Sequence, residues 1–293
     1  MPRQTSKKRK KKEKKTSKKK SVNKVYKANI IMYKFFNEDD NTHTKENNRC
    51  MCIDYDIKNN DFNMENNIDY RRCKRTVYKN TDFCIEHQNC KKFLKLFTNG
   101  FEEEYNPEKW SHPYVEGSHN CYSYFLDDIQ QVIVKKCQKS CEKNYDKECP
   151  KKTKECGSKK PQPGHFSHLL KEDDLDNFKR KYNCKSMQKR ILKDNPEIKV
   201  TSFTEKCPNN YYKGSMVVHK DKTFHFYKQN KDGTWSHKPG TQAVTDKDAS
   251  DKKIYIPHFA DRDYSHKPNE IDYKKFCNYY CVPRNNIVST NSI

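Results

Sequence analysis

The chain has 293 residues, 34% charged and 32% hydrophobic, with a formal net charge of +22. That balance allows one lean core and a smaller unit beside it, and no apolar run approaches the ~20 residues a bilayer-crossing helix needs. The N-terminus has charge without an apolar stretch behind it, so no secretory signal is read and an intracellular setting is expected. Residues 1–24 hold thirteen Lys/Arg against one acid, Glu13, which accounts for +12 of the total. A run such as Lys7 to Lys12 repels itself and buries nothing, so a disordered basic tail is expected. It reads as a solvating tail, a nuclear-localisation signal or an arm for nucleic acid or another polyanion. Fourteen cysteines are many for a reducing compartment. Metal ligation by one group, with free or redox-active thiols for the rest, is the economical reading.

From Asn37 to Asn48 an Asn/Asp/Glu-rich stretch leads into a cysteine-histidine module, placed with its flanking linker at 25–95. Cys52, Cys73, Cys84 and His87 have the spacing C-x20-C-x10-C-x2-H, with Cys50 and Cys90 flanking, and Cys50 can replace Cys52 as first ligand. A C-x2-H knuckle puts a thiolate and an imidazole on one turn, and two more thiols complete a tetrahedral shell. In a segment poor in core residues, structural zinc would supply the folding energy. The module resembles short zinc-binding elements of C…RC…FCxxH form in large DNA viruses; Arg71, Arg72, Lys74 and Arg75 are candidates for nucleic-acid contact.

Phe93, Leu94, Leu96 and Phe97 have helical spacing and stop at Asn99-Gly100. A second helix is capped by Ser118 or Asn120 and carries Tyr122, Phe125, Leu126, Ile129, Val132 and Ile133 on one stripe. A Cys/Lys-rich inserted segment covers 135–196, with Cys137, Cys141, Cys149 and Cys156. It contains the turn Pro161-Gln162-Pro163-Gly164 and a charged helical region from Leu169 to Leu192. Strands follow at Met216–Val218, Thr223–Tyr227 and Thr234–His237, joined by Asp221-Lys222 and an Asp232-Gly233 turn. Ile254–Ile256 adds a short strand. Asp272–Cys281 reads as a last helix stopped at Pro283, with Cys277 and Cys281 on one side; unpaired thiols are the expected state for this second cysteine set, a disulfide or second metal site the alternative.

A cysteine at a first helical turn meets unpaired N–H groups that favour thiolate, and Cys121 has that placement. On the strand, Thr223, His225 and Tyr227 share one face while Phe224 and Phe226 share the other. The hairpin brings His237 beside His225, where it can fix the tautomer. Cys121 is therefore the expected nucleophile, His225 its base and His237 the orienting group, with His119 a competing base. Asn120-Cys121-Tyr122-Ser123-Tyr124 resembles the D-C-S-G-[FY] helix start of NlpC-type cysteine peptidases of the papain-like superfamily. Phe224 to Tyr227 and Trp235 to Gly240 resemble their H-V-G-I-Y … I-H-A hairpin. Asn120 stands where that family has an acid, and the Cys121–His225 separation (225 − 121 = 104) is longer than the family typically shows. The string from Cys121 to Pro283 is also similar to a family of bacteria and giant viruses marked by N-C-Y-x-Y and G-T-W-S-H-K-P-G. The resemblance implies an α+β papain-like domain over 96–293. It further implies a cysteine-dependent hydrolase or acyltransferase acting on a peptide, amide or ester in the host cytoplasm, nucleus or virion. The alternative is a non-enzymatic, zinc-containing nucleic-acid-binding or virion packaging protein.

Overall fold

Where apolar and polar residues alternate most regularly, the chain builds its sheet. The computed structural model describes residues 49–53, 72–143, 160–170, 182–268 and 271–290. The expectations for residues 1–24, Arg71, Cys149 and Cys156 lie outside the described residues. The architecture is α+β. Strands are β1 (Lys199–Thr201), β2 (Tyr211–His219), β3 (Thr223–Gln229), β4 (Trp235–Ser236), β5 (Asp263–Tyr264), β6 (Ile271–Asp272) and β7 (Lys275–Pro283). Five of them form an antiparallel sheet in the order β1-β7-β2-β3-β4, and β5 and β6 pair apart from it. Helices are α1 (Cys90–Lys95), α2 (Glu108–Ser111), α3 (Pro113–Ser118), α4 (Cys121–Leu126), α5 (Gln131–Lys143) and α6 (Cys184–Asp194). None of them is long and apolar enough to cross a membrane.

The apolar face of β3 is the face expected. Phe224 and Phe226 enter the main core with Tyr122, Phe125, Met216 and Tyr280, and the Phe125 ring lies 4.7 Å from that of Phe226. α4 lies so close to the sheet that a Cβ at Gly214 would come within 2.3 Å of the Phe125 ring. Tyr212 Oη also donates to the Phe125 carbonyl at 2.8 Å. Gly214→Ala is therefore expected to destabilise the fold by about 1–3 kcal/mol through overpacking, read as a drop in thermal midpoint; an unchanged midpoint would show that α4 does not rest there.

Three sequence expectations are corrected. The stripe from Tyr122 to Ile133 is not one helix: α4 stops at Asp127, which takes the left-handed conformation (φ 53). Its carboxylate meets Lys109 at 2.6 Å and Lys228 at 3.0 Å, so a charge network holds the break that periodicity did not show. Asp272–Cys281 is not a helix, because Lys275–Pro283 is the strand β7, hydrogen-bonded to both β1 and β2. Ile254–Ile256 is buried but forms no strand; Ile254 bonds singly to the Trp235 and Asp246 backbones.

The cysteines also differ from expectation. Cys184 pairs with Cys277, Cys207 with Cys281 and Cys52 with Cys90, and Cys137 is disulfide-bonded as well. Both β7 cysteines thus staple the strand to distant segments instead of remaining thiols. Among the described residues the free cysteines are Cys50, Cys73, Cys84 and Cys121.

Candidate functional site

Two arrangements of reactive side chains stand out. The first is the cysteine-histidine module, whose short backbone bridges Arg49–Thr76 and Ile53–Arg72 bring its two halves together. Cys50, Cys73, Cys84 and His87 are all buried, and their ligand atoms lie within 4.8 Å of one another. Cys50 Sγ is 3.5 Å from His87 Nδ1, and Cys73 Sγ is 4.0 Å from Cys84 Sγ. A tetrahedral ion with bonds of about 2.0–2.3 Å needs ligand atoms roughly 3.3–3.8 Å apart, so this Cys3His cluster can hold a metal ion. Cys52 does not belong to it: its sulfur is committed to Cys90, and Cys50 takes the first position. Arg72 is equally unavailable for nucleic acid. It is buried and gives its guanidinium to the carbonyls of Cys50 and Arg49 at 3.0 and 2.9 Å. Arg75 reaches Glu86 at 2.9 Å on the surface.

The second arrangement is a cavity of about 610 Å³ lined by Cys121, His225 and His237 together. Cys121 is the first residue of α4, and Asn120 caps that helix by accepting from the amides of Tyr122 and Ser123 at 3.0 and 3.3 Å. His225 faces away from the core on β3, opposite Phe224 and Phe226. His225 Nε2 lies 2.7 Å from His237 Nδ1, and His237 Nε2 lies 2.8 Å from the Lys247 carbonyl. A carbonyl only accepts, so His237 carries its proton on Nε2 and leaves Nδ1 bare. His225 must then donate from Nε2, which makes His225 Nδ1 the unprotonated nitrogen. Burial, reinforced by the neighbouring His237, holds the His225 pKa well below its ordinary value. Burial likewise lowers His237 to about 4, although its bond to the Lys247 carbonyl opposes the shift. Burial pushes the Cys121 thiol up to about 12, opposed by backbone hydrogen bonding from Phe226 and by the charge of Lys238. At neutral pH the resting cavity holds a neutral thiol and neutral imidazoles.

The two sequence motifs meet in space. Tyr124 Oη and Ser236 Oγ are 2.7 Å apart, and Ser236 Oγ donates to Asn230 Oδ1 at 2.7 Å. Gly233, at φ +86, turns the chain into β4. Beyond His237, Lys238 is fully buried and donates to the carbonyls of Glu116, Gly240 and Gln242 at 2.8, 2.9 and 3.1 Å. His119 is not a base for Cys121. Its Nδ1 is 2.8 Å from Ser118 Oγ, its Nε2 accepts from the Gln130 amide at 2.9 Å, and burial lowers its pKa to about 4.

Sequence reasoning missed Lys160, Gln162 and Tyr273, which also line the cavity. The Tyr273 ring packs on His225 with centroids 5.3 Å apart. The 160–164 loop is held by Asn120 Nδ2 on the Pro161 carbonyl at 2.6 Å and by Asp194 on the Gly164 amide at 2.6 Å. A glutamine between two prolines is a legible sign of a restricted, extended backbone; nothing marked Tyr273. No family model matches the chain, and comparison with curated proteins and with solved structures finds no similar protein.

Proposed function

We propose that the domain is a papain-like cysteine hydrolase or acyltransferase, with Cys121 as nucleophile, His225 as base and His237 as orienting group. The observation that carries this reading is the directed hydrogen-bond chain His225–His237–Lys247, which leaves one basic nitrogen in the cavity that Cys121 shares. Cys121 Sγ attacks a carbonyl carbon as its proton passes to His225 Nδ1. The imidazolium keeps its Nε2–H on His237 and returns the Nδ1 proton to the leaving amine or alcohol. Water, or another acceptor giving its proton to the same nitrogen, then breaks the thioester and restores the thiol. The high thiol pKa and low histidine pKa favour proton transfer together with attack over a standing ion pair. The Cys121 amide and the Gln162 side chain are the donors offered to the oxyanion. An activated-ester probe applied to the unreduced protein is expected to label Cys121 selectively. Labelling spread over all free thiols would instead favour a non-catalytic scaffold.

The Cys3His donor set suits zinc, and four buried protein ligands leave no open position, as in a structural site. Purified protein is expected to carry about one zinc per chain, and Cys84→Ser or a strong chelator to remove it and lower the unfolding temperature. Metal-free protein with an unaltered melting profile would reject this part of the reading. Residues 1–24 keep their proposed role as a polyanion-binding arm; deletion is expected to abolish retention on nucleic acid and to spare probe labelling.

A further inference from the structure

Cations outnumber carboxylates around the cavity. Lys160, Lys222, Lys247 and Lys267 line it, against Asp248 and Asp251. Asp248 is already engaged, accepting from the amides of Ser250, Lys252 and Asp261, each at 3.0 Å. Among the described residues, Lys160, Lys247 and Lys267 make no ion pair with any carboxylate. Two of these cations act electrostatically on the groups of the proposed chemistry. The charges of Lys160 and Cys121 act on each other, and the ammonium of Lys267, set 5.1 Å from the Tyr264 ring centroid, acts on His237. A concave site lined by unpaired cations of one sign concentrates anions and orients them.

We infer that the acyl donor taken by this cavity carries a carboxylate beside the bond that is attacked, as an acidic peptide does. The inference rests on the reading of Cys121 as the nucleophile. Lys160 and Lys267 act as specificity residues in the cavity that holds Cys121 and His225: a carboxylate held by them places the adjoining carbonyl against the thiol. A neutral or cationic acyl group gains nothing from them.

Two alkylating reagents of nearly equal size test this. Iodoacetate carries the carboxylate and iodoacetamide does not, and the rate of each at Cys121 is read by peptide mass spectrometry on the full-length, unreduced protein. The iodoacetate-to-iodoacetamide rate ratio is expected to exceed that of free N-acetylcysteine by about tenfold or more. It should return to the free-thiol value in the Lys160→Gln/Lys267→Gln double variant. Because both reagents meet the same sulfur, the ratio cancels any effect of the lysines on the thiol itself or on folding. A wild-type ratio equal to that of the free thiol, with iodoacetamide still singling out Cys121, overturns the charge inference and leaves the nucleophile standing. Failure of iodoacetamide and iodoacetate alike to single out Cys121 overturns both.

Discussion

His225→Ala is expected to slow acylation of Cys121 by an activated ester about 10²–10⁴-fold while the chain stays folded. The size is that of general-base catalysis, and the direction follows from the two pKa shifts. A thiol raised to about 12 is almost wholly protonated at pH 7, so without a base only a trace of thiolate reacts. With His225 present, the proton has an acceptor at the moment of attack. The pH profile separates this from a packing effect. His225 titrates well below its ordinary value, so it is unprotonated, and competent as a base, above roughly pH 6.5. Wild-type acylation should therefore be nearly flat from about pH 6.5 to 9. The variant, dependent on free thiolate, should gain about tenfold per pH unit over the same span. A wild-type rate that climbs as steeply as the variant would mean that His225 takes no proton from Cys121. Single-turnover acylation followed by intact-protein mass spectrometry gives both curves.

Reduction of the two sheet disulfides is the second large effect. Cys184–Cys277 and Cys207–Cys281 span 93 and 74 residues, and closing loops of that size removes unfolded-state entropy corresponding to about 4–5 kcal/mol each. The loops overlap, so the two contributions will not simply add. Both bonds end on β7, which lies between β1 and β2 in the sheet. Freeing it loosens the strand against which β2, and through it β3 with His225, is registered. The Cys184→Ala/Cys277→Ala variant is expected to melt about 8–20 °C below wild type, and calorimetry with and without a phosphine reductant measures it. A reduced protein, verified by mass, that melts with the oxidised one would show that these bonds contribute nothing.

Much of the site could be read from residue order alone, because strand alternation is a local property. Phe224 and Phe226 had to share a face, which turned His225 the other way, and an Asp-Gly turn set the hairpin that returns His237. The cap at Asn120 was legible for the same reason. What failed depended on partners far along the chain. Apolar spacing from Tyr122 to Ile133 continues through Asp127, and only Lys109 and Lys228, distant in sequence, reveal why the helix stops there. Cys277 and Cys281 have a four-residue interval that suits one face of a helix and equally one face of a strand; their neighbours Tyr279 and Tyr280 argued for the strand. Cys50 and Cys52 differ by two positions, and nothing in their immediate neighbours says that one faces the cluster while the other meets Cys90.

The sheet ends at both sides in very short strands: β1 has three residues and β4 two. An unpaired strand edge is a template on which a second chain can add its own backbone hydrogen bonds, and a short edge offers few of them. The long strands β2, β3 and β7 occupy the interior positions. Sheet-to-sheet aggregation is thereby disfavoured by the order of the strands, even though the aromatic and β-branched segments within them would be adhesive if exposed.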